Sequence, residues 1–214
     1  MRSVRVKFLK TGNAKYISHL DLNRFMLKII RCSNIPVWYS EGFNPHPYIT
    51  FALPLSLGFE SKYEFMDIRL DDDSFSNESV YNALKGLMPE GLQIVSCENP
   101  VMKAGDIAYA EYVIEFESIS SDLISFIESF LSADVIKWEK KTKKGTYKEI
   151  NLKDYIKNFS FQDSSLVLTL AAGGSNNLNP KLILDAFEKS NLLTLPFYNV
   201  TRTMLFDINL DAFK

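Results

Sequence analysis

The chain has 214 residues, a formal net charge of −2, 46% hydrophobic residues and 13% aromatic residues. That is room for one large domain or two of about 100 residues with a real core, which excludes a disordered chain. No apolar stretch approaches the roughly 20 residues of a membrane span, and Met1–Phe8 alternates like a strand instead of reading as a signal peptide. The expected location is the cytoplasm.

Charge is unevenly spread. Residues 1–62 carry nine Lys/Arg against three Asp/Glu (+6), residues 63–134 three against fifteen (−12), and residues 135–214 twelve against eight (+4). Two basic ends around an acidic middle can build one positive face. The two cysteines, Cys32 and Cys97, fit a reducing compartment and are too few for a cysteine-ligated zinc or iron–sulfur site. Both are expected to be small buried hydrophobes. With only His19 and His46 as histidines, no His-rich metal site is expected.

Ser3–Leu9 alternates with period two and predicts a strand. Ser18 is an N-cap for a helix whose Leu22, Phe25, Met26, Ile29 and Ile30 recur at helical spacing, with Asp21 in the first turn. Arg24, Lys28 and Arg31 share another face, and the helix should stop before Pro36. Strands are expected at Tyr48–Leu53, Glu64–Leu70 and Leu92–Cys97, with a helix over Ser76–Leu87. The second half repeats the order: strand Tyr109–Phe116, helix Asp122–Leu131 with Leu123, Phe126, Ile127 and Phe130 inward, and a hairpin from Val135 to Asn151. A helical turn at Leu152–Ile156, strands at Phe159–Phe161 and Leu166–Ala171, a helix Pro180–Ser190 and a strand Asn199–Ile208 complete it. The pattern predicts an α+β fold of two tandem ferredoxin-like β-α-β-β-α-β domains, residues 1–100 and 106–214.

The densest candidate site is Tyr39-Ser-Glu-Gly-Phe-Asn-Pro-His-Pro-Tyr48. Its X-Pro pairs stiffen the chain, and Gly42 is expected in a conformation closed to other residues. Tyr39, Ser40, Asn44 and His46 would then project hydrogen-bonding groups from a stiff frame, with Phe43 or Tyr48 as a stacking surface. The alternative is a structural crossover whose polar groups satisfy one another. His19, at a helix start, suits an anion, and a His19/His46 acid–base pair is the weak catalytic candidate. Lys137, Lys140, Lys141, Lys143, Lys144 and Lys148 crowd the second-half hairpin beside Trp138 and Tyr147, which suits a phosphate backbone or, equally, a protected sheet edge. Gly173-Gly174 before a helix is a weak phosphate-loop signal, and no Ser-His-Asp order, HExxH or GxGxxG is present.

Ile17-Ser-His-Leu-Asp-Leu22, Tyr39–Pro47, Phe51-Ala-Leu-Pro-Leu-Ser-Leu-Gly-Phe-Glu-Ser61 and Asp67-Ile-Arg-Leu70 closely resemble the radical-SAM-linked, DUF2344-type family. Weaker matches at Asn151–Ile156, Asn179–Leu184 and Thr201-Arg-Thr203 extend the likeness over the chain and add Arg202 to the candidate binding residues. The family occurs fused behind B12-type radical SAM proteins or as a separate small protein, often near RNA-processing and ribosomal neighbours. With the residues above, three readings stand: an accessory that binds RNA (tRNA or rRNA) and presents it to a radical SAM partner, a metal-independent RNA-processing enzyme using His19 and His46, or a protein-docking domain without nucleic acid. S-adenosylmethionine, an iron–sulfur cluster and cobalamin would then sit only on the partner, because these 214 residues lack three cysteines. No membrane partner is expected.

Overall fold

A computed structural model describes residues 1–141, 147–174 and 176–214. The elements, in order, are β1 (Arg2–Lys10), α1 (His19–Cys32), β2 (Ile49–Phe51), β3 (Glu60–Leu70), α2 (Asn77–Lys85), β4 (Leu92–Glu98) and β5 (Tyr109–Phe116). There follow α3 (Ser121–Ser132), β6 (Lys137–Lys141), β7 (Tyr147–Asn151), β8 (Ile156–Gln162), β9 (Ser165–Ala171), α4 (Pro180–Asn191) and β10 (Tyr198–Phe206). Each helix starts at a side chain able to accept from an otherwise unpaired N–H: Ser18, Ser76, Ser120 and Asn179. Among the described residues no helix is long and apolar enough to cross a membrane.

The fold is α+β, built on one mixed sheet of eight strands in the order β4-β1-β3-β10-β5-β9-β8, with β2 also on β3. Every pairing is antiparallel except β3 with β10, where Thr201 and Arg202 lie opposite Glu60 and Ser61. The first-half strands run β4-β1-β3-β2 and the second-half strands β10-β5-β9-β8. The β6–β7 hairpin forms a separate two-stranded sheet.

Period-two alternation sorts the side chains of the first half. Val4, Val6 and Phe8 of β1 and Met66, Ile68 and Leu70 of β3 are buried against α1 and α2. A second cluster joins residues of β5, β9, β10, α3 and α4 to Leu53, Leu55, Phe59, Tyr63 and Phe65 from the first half, and to Phe213. The chain end folds back: Phe213 N–H donates to Leu205 O (2.9 Å), Tyr63 Oη donates to Phe213 O (3.0 Å), and Phe213 is fully buried.

Where the halves meet, Arg202 is 1% exposed and pairs with Glu64, itself 3% exposed. The same guanidinium donates to the carbonyls of Leu53 (2.8 Å) and Pro54 (3.4 Å). Burial works against its charge, but Glu64 and Tyr112 outweigh burial and raise its pKa. Lys10, also buried, has its pKa lowered by desolvation despite Glu64 nearby.

Two expectations are corrected. Phe126 does not point inward: it is 57% exposed, and the fully buried residues of α3 are Ile127 and Leu131. Cys32 is exposed at the last turn of α1, and Cys97 is half-buried. Burial, with Glu98 adding to it, pushes the Cys97 thiol up to about 12.

Candidate nucleic-acid interface

The stretch from Trp38 to Tyr48 is a hairpin standing off β3. Its arms meet at the Tyr39–Pro47 bridge, with Tyr48 N–H donating to Trp38 O (2.9 Å). Its base is tied to β3 by Trp38 N–H donating to Arg69 O (2.9 Å) and Arg69 N–H donating to Tyr48 O (3.2 Å). Inside the loop, Ser40 N–H donates to His46 O (2.9 Å) and His46 N–H donates to Ser40 Oγ (3.2 Å). His46 Nδ1 lies 3.1 Å from Asn44 O and 3.0 Å from Ser40 Oγ. Both contacts are made by Nδ1, so among the described residues no hydrogen bond occupies Nε2.

Ser40, Asn44 and His46 thus bond to one another, as the crossover alternative expects, while the tip of the loop stands in solvent. Glu41 through His46 are exposed, and Phe43 is 105% exposed. Gly42 has φ +122°, the left-handed side that favours glycine, with open space where a Cβ would stand.

At the base, Trp38 and Tyr48 meet edge to face at 5.4 Å between ring centroids. Arg69 lies over both, 4.8 Å from the Trp38 centroid and 6.0 Å from that of Tyr48. No hydrogen bond or ion pair joins this guanidinium to another described side chain, so its donors remain available beside two π faces. Trp38 and Arg69 are the functional candidates that sequence reasoning missed. The signal was there in Asp67-Ile-Arg-Leu70, where inward Ile68 and Leu70 turn Arg69 to the opposite face.

The other candidates lie apart from this clamp. Arg24, Lys28 and Arg31 are exposed on α1, which packs on the opposite side of the sheet from Arg69, and Arg24 pairs with Asp21 (3.2 Å). His19 is half-buried with its ring edge-on to Phe51 at 5.1 Å. Among the described residues no hydrogen bond or ring contact joins His19 to His46. The α1 N-terminus is already served by Ser18, whose Oγ accepts from Asp21 N–H (3.1 Å).

In the β6–β7 hairpin, Lys137 pairs with Glu149 (3.2 Å), and Trp138 is half-buried against the core with Lys189 over its ring at 5.6 Å. Lys143 and Lys144 lie outside the described residues, and only the main-chain pairing of Lys140, Lys141 and Lys148 is described. Arg202 is turned inward, its guanidinium occupied by Glu64 and two carbonyls. Gly173 has a packing reason for being glycine: a Cβ there would stand 2.2 Å from Ile107 O.

No curated protein matches the chain in sequence. The chain is similar to one in a solved structure titled "Crystal Structure of a Cbf5-Nop10-Gar1 Complex", with 11% identity and a TM-score of 0.47. The likeness covers 94% of this chain and 48% of that one, so this chain spans about half its length. A family profile described as "Uncharacterized protein conserved in bacteria (DUF2344)" matches residues 3–180, from β1 to the first residue of α4. The chain therefore belongs to the DUF2344 family.

Proposed function

We propose that this protein is an RNA-binding accessory module, which holds a single-stranded segment of tRNA or rRNA for a radical SAM modifying enzyme. The observation that carries the RNA reading is the Arg69 guanidinium, without a hydrogen bond or ion pair among the described residues, lying over Trp38 and Tyr48 under a solvent-held loop. Single-stranded bases stack on aromatic and guanidinium planes, and a fixed cation beside them takes the phosphate. Asn44 and the free ring nitrogen of His46 offer donor and acceptor groups for a base edge. The link to a radical SAM partner rests on the sequence motifs, and within these residues the two cysteines leave any three-cysteine cluster to that partner.

We also read residues 1–100 and 106–214 as two ferredoxin-like units joined edge to edge. The matching strand orders β4-β1-β3-β2 and β10-β5-β9-β8 support this. The β6–β7 hairpin is then an insertion between α3 and β8 of the second unit.

The test is fluorescence anisotropy with a labelled single-stranded RNA and its duplex. Single strands should bind in preference, with affinity falling linearly on a log–log plot against salt. Removing a stacking ring by Trp38→Ala should cost about 1–3 kcal/mol of binding, roughly a 5- to 150-fold loss. Absent or salt-insensitive binding would sink the RNA reading.

A further inference from the structure

The alternation that buries Val4, Val6, Phe8, Met66, Ile68 and Leu70 under α1 and α2 turns Arg5, Lys7, Phe65, Asp67 and Arg69 to the other side of the sheet. Strand pairing sets Lys7 opposite both Phe65 and Ser96, and Arg5 opposite both Asp67 and Glu98. The middle of this side is covered: Arg5 and Phe65 are buried, Phe213 packs on both (4.4 Å from the Arg5 guanidinium to its centroid, 5.3 Å between the two ring centroids), and Lys214 O accepts from Arg5 (3.0 Å).

Next to Lys7 is a cleft of about 120 Å³ lined by Tyr63, Ser96, Glu98, Asn99 and Phe213. Lys7 Nζ stands 4.0 Å from the Tyr63 ring centroid and 6.0 Å from that of Phe65. Among the described residues no hydrogen bond or ion pair engages this ammonium. Asn99 Oδ1 accepts from Arg2 (3.0 Å) and Asn77 (3.3 Å), which leaves its amide hydrogens as further donors. The acid at the centre of the face is already satisfied, since Arg5 grips Asp67 through two 2.7 Å hydrogen bonds. Glu98 and Lys214 also line the cleft, and the Lys214 main-chain oxygen accepts from Arg5 (3.0 Å). Burial lowers the Lys7 pKa and Glu98 offsets only part of that, so an incoming anion would supply what the charged form lacks.

Lys7 and the Trp38–Arg69–Tyr48 clamp therefore share one side of the sheet. Lys7 pairs with position 65, four residues from Arg69 on β3, which is roughly 13 Å at about 3.3 Å per residue. Among the described residues neither cation has a hydrogen bond or ion pair, and Asp67 and the Phe213–Lys214 cover lie between them.

We propose that a track for single-stranded RNA runs from the Trp38–Arg69–Tyr48 clamp, over the Phe213–Lys214 cover, to the Lys7 cleft, where the ammonium takes a backbone phosphate. This rests on the RNA reading above and extends it to a second contact, one that reads charge and not base identity.

The test titrates an oligonucleotide of about eight nucleotides, within the footprint of single-strand modules, across a salt series. Lys7→Gln should reduce the log–log salt slope by about 0.7, the value of one phosphate contact on a single strand. Lys7→Arg should keep the slope, and Lys85→Gln, on α2 across the sheet, should leave it unchanged. In the unmutated protein, RNA should slow chemical acetylation of Lys7 but not of Lys85, read by mass spectrometry. If Arg69→Gln abolishes binding while the slope for Lys7→Gln and the acetylation of Lys7 are unaffected, the track is wrong and the clamp alone stands. If the unmutated protein binds no RNA, both fall.

Discussion

Replacing Arg202 by Met tests how the two halves are held together. The substitution keeps a long side chain but removes a guanidinium that is 1% exposed and pairs with Glu64, 3% exposed. It leaves that carboxylate buried without its partner and strips a donor from the carbonyls of Leu53 and Pro54. Breaking one side of a buried pair costs about 3–5 kcal/mol, and the orphaned carbonyls put the expected loss toward the upper end. In a chain of this size about 1 kcal/mol moves Tm by about 2–4 °C, so Tm should fall by about 6–20 °C. Urea titration and thermal denaturation by circular dichroism read both quantities. Because the stranded charge carries most of the penalty, Arg202→Met combined with Glu64→Leu should cost less than the sum of the two single changes. A loss under about 1 kcal/mol for Arg202→Met, or strict additivity, would refute this account of the junction.

Other consequences can be checked alongside. Phe213→Ala empties a fully buried site and should cost about 3–5 kcal/mol by urea titration. Gly42→Ala meets no atoms but strains a φ of +122°, so it should destabilise by about 1–3 kcal/mol and weaken RNA binding by reshaping the loop. The thiols should separate: exposed Cys32 should react promptly with a thiol reagent at pH 8, and half-buried Cys97 slowly. The folded Cys97 thiol keeps its proton to about 12, against an ordinary value of 9.0. Unfolding therefore releases a proton between those values, and stability should fall as pH rises through that window. Cys97→Ala should flatten that fall.

Much of the local structure was legible because it is set by local chemistry. The N-cap serines, the 3.6-residue stripe of α1 and the alternation of β1 and β9 each satisfy their own backbone or bury their own face. Residue order alone left three things open. The β3–β10 junction rests on a two-residue parallel pairing, too short to leave a periodic signal. Arg202 reads as a surface cation until Leu53, Pro54 and Glu64 are seen around it. Phe126 matches the helical stripe, yet it stands 57% exposed while Ile127 and Leu131 take the buried face. At the candidate site the turn at Gly42 followed from the glycine, whereas the clamp beneath the loop depends on strand register. Arg69 and Trp38 are far apart in sequence and meet only because the hairpin pairs back onto β3.

The most direct test of the RNA reading is ultraviolet cross-linking of bound single-stranded RNA, with the cross-linked peptides mapped by mass spectrometry. The account predicts cross-links on peptides carrying Trp38, Phe43 and Tyr48, lost on Arg69→Gln. Cross-links confined to α1 or to the β6–β7 hairpin, or none at all, would contradict it.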